Sequence, residues 1–108
     1  TKKFKKAVAT LEPVSVQMPD HARVWINLGA AYLGNPVLAR DEEQEKAISA
    51  FERALEVDPA APSVAYNIGL IYRGRKETDK AIYWFDQAVK NDPRDKDARS
   101  LLRKLRAE

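Results

Sequence analysis

The segment VWINLGAAYLG, residues 24–34, returns as VAYNIGLIYRG, residues 64–74, with Asn27/Asn67, Gly29/Gly69, Tyr32/Tyr72 and Gly34/Gly74 in matching places forty residues apart. A second set recurs at a different step: Ala47, Phe51, Ala54 and Pro59 return thirty-four residues later as Ala81, Phe85, Ala88 and Pro93. The two steps are reconciled by a unit of 34 residues whose first copy carries six extra, because 12 residues separate Gly34 from Ala47 and six separate Gly74 from Ala81. The surplus is expected in the turn.

Each half of the unit reads as a helix. Val24, Trp25, Leu28, Ala31 and Tyr32 fall three and four apart, on one face, and Ile48, Phe51, Ala54 and Leu55 do the same. Asn35 and Pro36 interrupt the pattern, since proline lacks an amide proton and disfavours helix in the residue before it. Asp41 is expected to cap the next helix, with Glu42 and Glu43 at the positive end of its dipole. Asp58-Pro59 and Asp92-Pro93 close the second helices. The prediction is four good helices in two antiparallel pairs, with partial elements at both ends. Glycine inside a helix costs about 1 kcal/mol relative to alanine. Gly29 and Gly69 are therefore read as places where a ring such as Phe51 or Phe85 reaches the backbone.

Trp25, Leu28, Gly29, Tyr32, Ala47, Phe51, Ala54 and Pro59, with Ile68, Gly69, Tyr72, Ala81, Phe85, Ala88 and Pro93, resemble the tetratricopeptide repeat, patterned W-x2-L-G-x2-Y, A-x3-F, P. Ala65 departs from it, standing where the family usually has a large residue. The resemblance implies an all-α fold of antiparallel helix-turn-helix repeats stacked in a right-handed superhelix. Residues 1–21 become a partial helix of a preceding repeat with its linker, broken early at Pro13; 22–61 a first repeat with its insertion; 62–95 a second; and 96–108 a C-terminal capping helix. Tyr83-Trp84 replaces Ser49-Ala50 of the first copy and is expected to pack under that terminal helix, the alternative being an outer binding patch.

The chain of 108 residues, 44% apolar and 32% charged, fits one globular unit, and its opening threonine reads as a piece of something longer. No apolar run approaches the length of a membrane span, so membrane insertion is not expected. With no cysteine there is no disulfide or thiolate site, and the compartment stays open. No cofactor or metal is expected. The one histidine, His21, has no partner at a catalytic spacing, and the run Asp41-Glu42-Glu43-Gln44-Glu45 lacks the alternating ligands and turn glycine of a calcium loop. The glycines do not form a phosphate loop. Arg99, Arg103, Lys104 and Arg106 raise nucleic acid, but residues 22–61 hold seven acidic and four basic side chains, which disfavours it.

What remains is binding. In the family the first helices line a concave groove, and the residues not used for core packing face a ligand. In the first copy these are Arg23, Ile26, Asn27, Ala30 and Leu33; in the second, Ser63, Tyr66, Asn67, Leu70 and Arg73; in the terminal helix, Asp97, Ser100 and Lys104. Apolar anchors alternate with amides able to pair with a peptide backbone. A clamp for acidic C-termini, known in the family, needs two basic groups where this chain has Asp97 and Leu101, or Ser63 and Asn67 in the earlier register, and is rejected. The reading is a non-catalytic protein-protein interaction module taking a peptide or helix of a partner, with a structural or self-associating homo-oligomeric segment as the alternative.

Overall fold

The computed structural model describes residues 2–34, 39–61 and 63–107, which form six helices and no strand. The helices are α1 (Lys2–Gln17), α2 (Ala22–Leu33), α3 (Asp41–Val57), α4 (Val64–Gly74), α5 (Thr78–Asn91) and α6 (Lys96–Ala107). They fall into two compact units, α1–α3 in Thr1–Ala61 and α4–α6 in Pro62–Glu108.

In the first unit α2 packs against both α1 and α3. Its core is built from the residues the repeat singles out: Leu28, Ala31, Ala47, Ile48, Phe51 and Ala54 are all buried. In the second unit α4 pairs with α5 and α5 with α6. Ala81, Phe85, Leu102 and Leu105 form one buried cluster, flanked by the half-buried Tyr66, Leu70 and Tyr72; Ala65, Ala88 and Ala98 form another, flanked by Tyr66 and Trp84. A β carbon built on Gly29 would lie 2.7 Å from the Phe51 ring, and one on Gly69 2.7 Å from the Phe85 ring. Close ring approach is the reason for both glycines.

Three expectations are corrected. The N-terminal element is a full helix of 16 residues, and α1 runs through Pro13. Pro13 is exposed, so its ring meets solvent, and the helix is held by docking on α2, where the Tyr32 hydroxyl donates to Glu12 at 2.9 Å; the Trp25 indole N–H secures the loop that follows α1 through the Pro19 carbonyl at 2.9 Å. Tertiary packing outweighs the lost backbone bond. The six-residue surplus is not confined to a turn. Asp41 to Lys46 put six helical residues ahead of Ala47, against three ahead of Ala81, so half the surplus adds nearly a turn to α3. Asn35 and Pro36 lie outside the described residues. Finally, Asp41 does not cap α3: Arg40 holds the cap position, and its N–H donates to the Glu43 carboxylate at 3.1 Å. Arginine carries no acceptor, so only the reach-back half of a capping box is available.

The second helices end alike. The Asp58 carboxylate accepts from the Ala60 N–H at 3.1 Å and the Asp92 carboxylate from the Arg94 N–H at 3.1 Å. The first helices end differently. Gly34 takes φ 58° after α2, whereas after α4 the left-handed position falls on Lys76, φ 62°, with Lys76 N–H donating to the Arg73 carbonyl and Glu77 N–H to that of Tyr72. These two bonds make a Schellman end, built without the usual glycine.

Candidate functional site

The face of each first helix opposite its core carries the residues expected of a binding surface. On α2, Leu28, Gly29 and Ala31 are buried, while Arg23, Asn27 and Ala30 are exposed and Ile26 half-buried. Leu33 is different: it is half-buried and lines a cavity of about 440 Å³ with Phe4, Val8 and Tyr32, at the C-terminal end of α2 beside the lengthened start of α3. On α4, Ile68, Gly69 and Ile71 are buried, Ser63 and Arg73 exposed, and Tyr66, Asn67 and Leu70 half-buried. The side-chain amides of Asn27 and Asn67 make no hydrogen bond among the described residues, so their donors and acceptors stay available.

Tyr66 and Leu70 are partly committed inside their unit. Both pack on the cluster of Phe85, Leu102 and Leu105, and the rings of Tyr66 and Phe85 lie 5.7 Å apart, tilted by 51°. Burial raises the Tyr66 hydroxyl above the ordinary tyrosine range, and Asp97 and Asp95 raise it further against the opposing charge of Arg73. The neutral hydroxyl is therefore ringed by charges of both signs. Ser63 has φ 66°, a left-handed conformation uncommon for a residue with a side chain, and its hydroxyl does not cap α4. Backbone strain thus sits at the entrance to this face.

Two features escaped the sequence reading because they depend on how α1 docks. One is the cavity at Leu33. The other is a groove of about 420 Å³ between α1 and α3, floored by Trp25, Leu28 and Ala50 and walled by Val16. Two aromatic rings that line it carry cations: Arg53 lies 5.1 Å from the Trp25 centroid and Lys46 5.7 Å from that of Tyr32. Burial raises the Tyr32 hydroxyl to about 12, and its bond to the Glu12 carboxylate and that group's charge reinforce the shift. Among the described residues no group of three or more His, Cys, Asp or Glu side chains is placed to hold a metal, and no helix is long and apolar enough to cross a membrane. The aromatic pair on α5 divides. Trp84 packs on Ala65, Ala88 and Ala98, reaching the terminal helix, while Tyr83 stands 56% exposed.

A family model, the tetratricopeptide repeat, matches residues 36–96. The chain belongs to this family. Among its tetratricopeptide relatives, a photosystem I assembly protein, Ycf3, of Synechococcus sp. strain CC9605 is 38% identical over 77 residues, covering 65% of this chain and 41% of that protein. The chloroplastic tetratricopeptide repeat domain-containing protein PYG7 of Arabidopsis thaliana is 31% identical over 80 residues, 74% of this chain and 25% of that protein. The chain thus spans about two fifths of the length of the Ycf3 proteins it matches. The first tetratricopeptide domain of Spaghetti (RPAP3), solved with the HSP90 peptide SRMEEVD, matches with a TM-score of 0.79 at 16% identity, over 98% of this chain and 79% of that one. That likeness is one of fold, an all-α tetratricopeptide-like helical repeat.

Proposed function

We propose that the chain is a non-catalytic protein-interaction module that takes a peptide or helix of a partner protein in the concave groove of its tetratricopeptide fold. The observation that carries this is the pair of unspent amides, Asn27 and Asn67, at matching places on the solvent faces of α2 and α4. Asparagine is a poor helix former, and its cost is repaid if its amide pairs with a peptide backbone. Ile26 and Leu33 in the first unit, and Tyr66 and Leu70 in the second, supply apolar contact; Arg23, Ser63 and Arg73 supply polar contact around them. Because Tyr66 and Leu70 already rest on Phe85 and Leu102, they meet a ligand with little rotamer entropy left to lose. The relatives named for assembling photosystem I support a larger protein that acts in assembly, holding another protein's segment rather than transforming it.

Affinity capture from a lysate of the source organism, comparing the wild type with the Asn27→Ala, Asn67→Ala double variant, tests this. Both should melt alike, since neither amide is bonded internally, and proteins held by the wild type should be lost from the variant. Equal retention of the same proteins by both refutes the role given to these amides.

A further inference from the structure

The second helices of the two units carry opposite reliefs at the same two places of the repeat. On α3 the small pair Ser49-Ala50 lines the open groove of about 420 Å³, whose apolar surface continues onto Val16, 79% exposed. On α5 the pair thirty-four residues later is Tyr83-Trp84, of which Tyr83 is 56% exposed. Trp84 is seated on Ala65, Ala88 and Ala98, and Tyr83 stands edge-on to it at 5.2 Å and 88°, so the exposed ring is braced. A rigid, solvent-facing tyrosine on an aromatic base is the kind of anchor that loses little entropy on docking. The groove belongs to the first unit and the exposed ring to the second.

Charge runs the same way. The α3 segment DEEQEKAISAFERALEV holds six acidic and two basic side chains, the two basic ones, Lys46 and Arg53, lining the groove paired with Glu42 and Glu56, which leaves a net acidic helix; the α6 segment KDARSLLRKLRA holds five basic and one acidic. Arg106 of α6 reaches Asp86 at 3.5 Å, but Lys96, Arg99, Arg103 and Lys104 are exposed and have no ion-pair partner among the described residues.

We propose that the chain self-associates head to tail: the Tyr83-Trp84 projection and basic α6 of one copy dock on the groove and acidic α3 of a second copy. The occupant is a second copy because both halves of the match, shape and charge, stand on this one sequence. Such a contact is heterologous, each copy using a different surface, so a docked pair keeps one unused groove and one unused projection. The attraction between exposed charges weakens as salt shortens the screening length.

The test is sedimentation velocity of the full chain from about 5 to 500 µM at about 50 mM and 500 mM salt. Mean mass is expected to rise with concentration, and less at high salt. Tyr83→Ser removes the projection and Ser49→Lys puts a charged chain in the groove; both positions are exposed, and melting curves confirm folding. Each variant alone should associate at least tenfold more weakly. Mixed in equal amounts, they should form a heterodimer that stops at two, because Ser49→Lys keeps the projection and Tyr83→Ser keeps the groove. A wild type that stays monomeric over the whole range overturns the proposal. So does a wild type that associates while the variants match it, or while their mixture yields no heterodimer.

Discussion

Gly29→Ala and Gly69→Ala should each destabilise the protein, although alanine is the better helix former. Two opposed terms set the size. Replacing glycine within a helix gains about 1 kcal/mol. Against that, the new methyl of residue 29 would sit 2.7, 2.8 and 3.0 Å from three Phe51 ring carbons, and that of residue 69 at 2.7, 2.8 and 3.1 Å from three of Phe85. The rings cannot swing clear, since Phe51 is 2% exposed and Phe85 0%. Restoring ordinary contact means moving a packed ring by several tenths of an ångström, and overpacking of this kind costs about 1–3 kcal/mol or more. With ring contacts this short the cost falls in the upper part of that range and the overpacking term wins, leaving a net loss of up to about 2 kcal/mol, or up to about 10 °C in melting temperature. Urea unfolding gives the loss, and a double-mutant cycle with Phe51→Leu gives its cause, because a smaller, flexible side chain should absorb the methyl and return at least about 1 kcal/mol as coupling. A neutral or stabilising Gly29→Ala, or additive behaviour in the cycle, would refute the close-approach argument.

The Tyr32 hydroxyl, held at about 12 in the folded state against the ordinary 10, stays protonated where the unfolded chain has begun to lose its proton, so its contribution is complete below pH 10 and drains away toward pH 12. Tyr32→Phe should therefore cost about 1 kcal/mol at pH 9, and the gap to wild type should close by pH 11, since the slope approaches 1.4 kcal/mol per pH unit at most; urea midpoints that keep a constant gap across that range would contradict the assignment. Lys76→Gly relieves the left-handed backbone at the end of α4 and should raise unfolding stability by about 0.5–1 kcal/mol, with a lowered urea midpoint counting against it.

What the sequence disclosed was whatever depends on spacing within one helix or on the repeat itself. Leu28, Phe51, Ile68 and Phe85 are buried where the three-and-four spacing puts them, and the glycine contacts follow from a helix tolerating a residue that weakens it. Docking was not legible. Pro13 is a breaker by local rules, and nothing near it announces that Tyr32, twenty residues on, will bond Glu12 and hold the turn in place. The start of α3 near Asp41 was legible from its acidic run, but its cap was not: Arg40 holds that place and Glu43 reaches back to it. On the candidate surface, exposure of Asn27 followed from helical phase alone, whereas the half-burial of Tyr66 depends on Phe85, whose ring lies tilted against it at 5.7 Å.

Ala65 and Trp84 show how two apparent departures can be one physical change. Read singly, Ala65 lacks the bulk of its counterpart Trp25, and Trp84 has too much beside its counterpart Ala50. In the first unit the indole belongs to the first helix, and Trp25 and Ala50, 3% exposed, border the same groove. In the second unit the indole belongs to the second helix and lies against Ala65, also 3% exposed, and Ala98. Large and small have exchanged sides, which keeps volume at the contact and so preserves packing density. The exchange keeps both alanines buried but changes the surface. An indole on the first helix leaves the second with small residues and a hollow above them; an indole on the second helix carries Tyr83 outward on its edge. One compensating swap in the core thus makes the outer faces of two otherwise similar repeats unlike each other, and that unlikeness is what a head-to-tail contact requires.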